Sequence, residues 1–554
     1  MRLNLACPKR LRIVLLSASG VALVTAAPAL GEQSAMGSDA ATGQWQRWMP
    51  AQYYNQSPEQ AAPTGLPIAQ RWWAEFGNPE LDELVAIALA NNTDLKAAVA
   101  RIAQAEARAR IADAGQSPTL DAVVRAEHRA PEFGIGTAPT RADYRSRKIY
   151  QAGLRAAYEV DLWGKGGYQQ ASAMAQVKAS TYAREALALS LVSDVANRYF
   201  EVLSLRERLA LAHDDVTTAR AVETTVKRRV EGGDLSLFEL EQQGITVADA
   251  AAREYELAQN LASAEGELAF LIGRPRGMLE LAGQTLSDVA VPQIAPGVPG
   301  AVICRRPDVR QAEAELAAAR ANLGVARKSL LPTFSLTAEG GLGSANLASA
   351  LAPQSIFTDV LGQLVQSIFD GGRRRGEIAQ SKAVETELLQ RYQTRILGSL
   401  RDVEEALAGV RFTGERLAVL ADSAARASRM MTLSTRVFDR GAIDYATLLD
   451  SQRFQYRIRA QAVEARYDRL RAAVDLYKAL GGGMAFKNDP CVKALTSEAG
   501  AASAGSASAS SSATSSAAAS IPGELPAVAA PVAAPAPPPA ATGTKPAKRK
   551  SSRW

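Results

Sequence analysis

Histidine is nearly missing from this chain. Only His128 and His213 occur in 554 residues, and neither has a second histidine four positions away. That excludes most histidine-based metal sites and most serine-histidine catalysis. Cysteine is almost as scarce, with Cys7, Cys304 and Cys491 alone, so a disulfide-rich scaffold and a zinc ribbon are both excluded. Aromatic residues make up 6% of the chain, while alanine dominates the apolar count, which suits long, closely packed helices. Gly371-Gly372 lacks the lysine and spacing of a phosphate loop. No catalytic constellation and no cofactor motif is present, so an enzyme is not expected. The net charge of +6 sits largely in a terminal cluster, Lys545, Lys548, Arg549, Lys550 and Arg553. The rest is close to neutral, which gives no footprint for nucleic acid.

The sequence does contain a secretory start. Arg2, Lys9, Arg10 and Arg12 precede a short apolar stretch over 13–30 that ends in Ala27-Pro28-Ala29. This layout predicts a signal peptide over 1–29. Cys7 goes with it, and Cys304 and Cys491 fit either a disulfide or two free thiols. Beyond this stretch no run of 18 apolar residues occurs, so no membrane-spanning helix is expected. Residues 30–74 read as extended and irregular. Residues 484–554 are rich in alanine, serine and proline, and that composition predicts a disordered tail with a basic end.

Between these ends the chain repeats itself. Asp94 matches Asp308, and Pro118-Thr119 matches Pro332-Thr333, at an offset of 214; Gly233 matches Gly441, and Gly273 matches Gly481, at 208. Two copies of one unit follow, 75–280 and 307–483, joined by a linker over 281–306. Each predicts a helix (80–114 or 307–329), a proline stop, a strand pair and two long helices. The strands are placed at 118–128, 149–162, 333–343 and 357–369. The long helices are placed at 167–230, 237–272, 373–437 and 444–480.

The strands alternate. Leu120, Ala122 and Val124 share one face, while Asp121 and Arg125 share the other. This suits tilted membrane strands, and it equally suits a soluble sheet. The long helices carry a seam at steps of three and four through Val202, Leu205, Leu209, Ala212 and Val216, and again through Val403, Ala406 and Val410. Four strands cannot close a membrane barrel alone, and open edges are not tolerated in lipid. Membrane strands would therefore require several chains in one barrel, continued by a helical tube. A periplasmic coiled-coil scaffold without a pore is the alternative from another class.

The sequence resembles the TolC-like outer-membrane efflux proteins, and within them the NodT-type branch. The matching stretches are Trp72-Trp73-Ala74-Glu75-Phe76-Gly77-Asn78-Pro79, Arg305-Arg306-Pro307-Asp308-Val309, Phe369-Asp370-Gly371-Gly372-Arg373, Gly441 through Arg453, and Leu476-Tyr477-Lys478-Ala479-Leu480-Gly481-Gly482-Gly483. The resemblance implies a mixed α and transmembrane β fold. In it a homotrimer forms a 12-stranded outer-membrane barrel continued by a periplasmic coiled-coil tunnel. It implies export of drugs or other small toxic compounds in a tripartite pump, with a periplasmic adaptor and an inner-membrane RND-type transporter as partners and outer-membrane lipid around the barrel. The exit duct of a type I protein secretion system is a neighbouring alternative. Many relatives in this branch carry a lipidated cysteine after the signal; none follows Ala29 here until Cys304, so no lipid anchor is expected.

Site residues also follow from the resemblance. A periplasmic gate is expected at Asp450, Thr447 and Phe438. Asp450 falls on an aspartate ring of relatives, whereas Thr447 replaces a second one. Phe438 stands where some relatives have tyrosine, and Ile443 where some have a basic residue. Three copies of Asp450 around a narrow pore would attract cations. Adaptor contacts are expected at two tips. The first is Gly232, Gly233, Asp234, Leu235 and Ser236; the second is Arg440, Gly441, Ala442, Ile443, Asp444 and Tyr445. Both tips also serve simply to turn the chain. Arg373, Arg374 and Arg375 are expected to form a charged collar below the membrane.

Overall fold

A computed structural model describes residues 50, 52–55, 69–129, 147–297, 299–345 and 355–483. The signal segment, most of 30–74 and the tail from 484 lie outside the described residues. Eight α-helices and four strands are found among them: α1 (Pro79–Asn91), α2 (Thr93–Ala114), β1 (Thr119–Arg129), β2 (Arg147–Val160), α3 (Lys165–Glu231), α4 (Leu237–Leu271), α5 (Pro299–Arg305), α6 (Pro307–Lys328), β3 (Thr333–Ser344), β4 (Ile356–Val365), α7 (Arg373–Asp439) and α8 (Tyr445–Ala479).

 A 3-10 helix, Trp72–Phe76, precedes α1, and two shorter 3-10 turns, Arg276–Met278 and Leu286–Asp288, lie between α4 and α5.

The duplication is visible in the element boundaries. α2 and α6 are displaced by 214 residues at both ends, and the pairs α3/α7 and α4/α8 by 208 at both ends. One expectation is corrected: the first helix, placed at 80–114, is two helices. Asn92 interrupts it, because its side chain accepts from the backbone N–H groups of Asp94 and Leu95 at 3.0 Å and so caps a new helix. The Asn92 amide also donates to the Leu271 carbonyl at 3.1 Å, tying the break to the end of α4. The strands lie within a few residues of their expected places, except that β4 ends at Val365 rather than 369. The linker over 281–306 contains the short helix α5.

The four strands form one antiparallel sheet in the order β1-β2-β3-β4. Its register sorts the two faces. Leu120, Val124, Leu154, Ile356, Val360 and Leu364 lie on one face, and all are more than half exposed. On the other, Asp121, Arg155, Glu339 and Asp359 stand opposite one another across the sheet, and Arg155 pairs with Glu339. Gly153 and Gly341 oppose each other in the central pair, where a Cβ on Gly153 would come within 2.5 Å of the Gly340 carbonyl oxygen. The backbones approach there only because side chains are absent.

The largest core joins the two halves of the chain. Trp72 stacks on Tyr477 with ring centroids 4.9 Å apart, and Phe76 packs on Phe200 at 5.2 Å. The Tyr477 hydroxyl donates to Glu75. Burial first raises the Asp308 carboxyl, but hydrogen bonds and charge from Arg306 pull it below the usual carboxylate range. Arg306 also holds Asp402 at 3.0 Å, joining α6 to α7. Upstream, the backbone N–H groups of Tyr54 and Asn55 donate to Glu404 at 2.7 and 3.0 Å. Cys304 is buried and disulfide-bonded, its partner lying outside the described residues. At ~1.5 Å per residue, the 67 residues of α3 and of α7 each span ~100 Å, and this core lies about midway along both. Their seams are packed as coiled coils: Val202, Leu205, Ala212, Val216, Val403, Ala406 and Val410 are buried.

Candidate functional site

The two long hairpins turn at equivalent tips. In the first, Gly233 takes a φ of 83° and Asp234 donates its backbone N–H to the Arg229 carbonyl at 2.8 Å. In the second, Gly441 has φ 75° and Ala442 donates to the Val437 carbonyl at 3.1 Å. Only glycine reaches these left-handed conformations without strain. Each turn ends on a capped helix. Ser236 caps α4, its backbone N–H donating to Glu239 at 2.9 Å. Asp444 caps α8, accepting from the Thr447 N–H at 3.0 Å. Hydrogen bonding from the Thr447 side chain, and then from its backbone N–H, holds the Asp444 carboxyl below its ordinary value.

Gly232, Gly233, Asp234 and Ser236 are exposed, as are Arg440, Gly441, Ala442 and Asp444. Leu235 and Ile443 are half-buried and fold back onto a small apolar cluster of Val222, Val226, Met431, Phe438, Tyr445, Leu448 and Leu449. Next to the first tip, Leu237 and Phe238 are 68% and 74% exposed, an apolar pair that a polarity-based reading of the turn overlooks.

The candidate gate residues do not share one surface. Thr447 and Asp450 are exposed on α8, whereas Phe438 is buried at the end of α7. The guanidinium of Arg229 stands 4.2 Å from the Phe438 ring centroid and also donates to the Phe438 carbonyl. A second tie lies beside it. The Tyr445 hydroxyl donates to Gln243 Oε1 at 2.8 Å, and Gln243 donates from Nε2 to the Ala219 carbonyl at 2.9 Å. Burial raises the Tyr445 hydroxyl's pKa, and Arg453 partly offsets it. Higher up, Arg253 on α4 pairs with Asp215 on α3 at 3.1 Å and covers the Tyr456 ring on α8 at 5.0 Å. These contacts bind the two hairpins to each other. Neither Arg229 nor Gln243 was singled out from the sequence, because a helical arginine or glutamine carries no local signal of a partner some 200 residues away.

At the other end, Asp370 accepts from the N–H groups of Gly372 and Arg374 at 3.0 and 3.2 Å where β4 gives way to α7. Arg373 pairs with Glu377 at 3.0 Å, and Arg374 donates to the Ser367 hydroxyl at 3.0 Å. Among the described residues no group of three or more His, Cys, Asp or Glu side chains could hold a metal ion, and no helix is long and apolar enough to cross a membrane.

Comparison with known proteins places this geometry. The family described as outer membrane efflux protein matches residues 84–274 and 298–482. The pyoverdine export outer membrane protein OpmQ of Pseudomonas aeruginosa is 36% identical over 416 residues, covering 75% of this chain and 87% of that protein. Its namesake in Pseudomonas putida is 37% identical over 431 residues, covering 77% and 91%. Among solved structures, the open-state MtrE outer membrane channel of Neisseria gonorrhoeae aligns with a TM-score of 0.71 at 26% identity, covering 79% of this chain and 96% of that one. The outer-membrane channel OprN aligns with a TM-score of 0.73 at 23% identity, covering 78% and 96%.

Proposed function

The chain belongs to the outer membrane efflux protein family, and from that membership we propose that it is the outer-membrane channel of a tripartite pump, passively exporting small compounds. An RND-type transporter in the inner membrane and a periplasmic adaptor deliver the cargo. The tips Gly232–Ser236 and Arg440–Tyr445 are the adaptor's contacts, with Leu237 and Phe238 adding apolar surface. The observation that carries this reading is the sheet: one apolar exposed face, one charged face, and two edge strands whose outer sides are unpaired among the described residues. An edge left open in lipid leaves backbone N–H and C=O groups without partners at several kcal/mol each. A homotrimer resolves this by joining β4 of one copy to β1 of the next, giving twelve strands. Phe412, Val419 and Leu433 on α7 support the same assembly, since they recur at multiples of seven and are 56%, 67% and 60% exposed.

Asp450, exposed on α8, is the pore-lining gate residue in this reading, with Thr447 one turn before it. Phe438 acts from behind, as the surface on which Arg229 docks. Single-channel recording from detergent-purified protein tests the function. The wild type is expected to form pores, and Asp450→Ala is expected to change gating or ion preference. A wild type that forms no pore rules out the channel; a variant identical to wild type removes only the role of Asp450.

A further inference from the structure

Asp450 does not stand alone on its helix face. Arg453 and Arg457 follow it in α8 at three and seven residues, spacings that stack side chains on one side of a helix. All three are exposed, while Leu448 and Gln452 are buried on the opposite side. Arg459 leaves this face: it lines a cleft with Asp214 and Asp215 of α3. Among the described residues no hydrogen bond or ion pair engages Asp450, Arg453 or Arg457. The guanidinium of Arg457 rests 5.4 Å from the ring centroid of Phe454, itself 38% exposed. The next carboxylate on this side, Glu464, lies seven residues beyond Arg457, or ~10 Å along the helix.

We propose that Arg453 and Arg457 make the periplasmic end of the pore selective for small anionic cargo, outweighing Asp450. This rests on the reading that Asp450 lines that pore. One carboxylate and two guanidinium groups then give this face of α8 a net charge of +1 in each chain, repeated around the axis. A ring of arginines favours anions in a pore by the same physics that makes an acidic ring favour cations. The Arg457–Phe454 pair adds a flat surface with a fixed charge, suited to compounds that join an aromatic ring to a carboxylate or phenolate. The sign expected from Asp450 alone is therefore reversed by its neighbours one and two turns along.

Reversal potentials across a planar bilayer under a KCl gradient test this, with the full-length wild-type protein beside Arg453→Glu/Arg457→Glu and Asp450→Asn. The wild type should prefer chloride. The double variant should invert that to a potassium preference, and Asp450→Asn should strengthen the chloride preference. Each shift should be larger near 0.1 M salt than near 1 M, because the screening length falls from about 10 Å to about 3 Å. A potassium-selective wild type, or a double variant whose ion preference equals that of wild type, overturns the proposal while leaving the channel intact. Absence of any conductance in the wild type overturns the channel reading and this proposal with it.

Discussion

Asp308 is a carboxylate pulled two ways. Burial raises its pKa, and the hydrogen bonds and charge of Arg306 outweigh that, so the net shift is downward. A depressed folded-state value contributes stability that is present above the unfolded value of about 4 and is lost as pH falls through the folded value. Asp308→Asn should therefore lower the melting temperature of detergent-solubilised protein at pH 7, corresponding to about 2 kcal/mol for a lost charged hydrogen-bonded pair. The gap to wild type should begin to narrow below about pH 4, the unfolded value, and close only as pH falls through the lower folded-state value, where the native carboxylate is protonated. An equal gap at both pH values would assign the effect to packing. Tyr445→Phe acts nearer the tip. It removes the donor to Gln243 Oε1, in a buried contact where an unsatisfied acceptor costs about 1–3 kcal/mol. Amide hydrogen exchange should quicken in the first turns of α8 and around Gln243, and unchanged protection there would show that this tie does not hold the hairpins.

At the scale of elements, the central strand pair is the most constrained. A side chain on Gly341 would run into the Ala152 carbonyl and the Gly153 Cα, which are backbone atoms that cannot rotate away. Gly341→Val should therefore disrupt the β2–β3 pairing and abolish outer-membrane insertion, read by membrane fractionation; normal insertion would mean that the sheet can spread. Element order was legible in the sequence because duplication states every boundary twice: Pro118 and Pro332 stop helices, and Gly233 and Gly441 turn hairpins. The break at Asn92 was not. The helical pattern runs through it, and only the capping bonds of Asn92 distinguish an interrupted helix from a continuous one. The end of β4 was misplaced because Ile368 and Phe369 continue the apolar pattern after the pairing with β3 has stopped. The tips were legible through their glycines. The ties behind them, Arg229 to Phe438 and Tyr445 to Gln243, were not, since they join residues about 200 positions apart through single side chains. The disulfide state of Cys304 was equally beyond reach, because three cysteines far apart in sequence fix no pairing.

At the scale of the whole molecule, a single chain presents a sheet that is apolar on one face and charged on the other, with an edge strand on each side left unpaired among the described residues. Family membership fixes the class of protein, and the central physical claim is that copies of this chain complete each other's sheet. Native mass spectrometry of the protein extracted from outer membranes in mild detergent tests it most directly. The account predicts particles of three chains that persist on dilution. Monomers that remain soluble and monodisperse without detergent would contradict it.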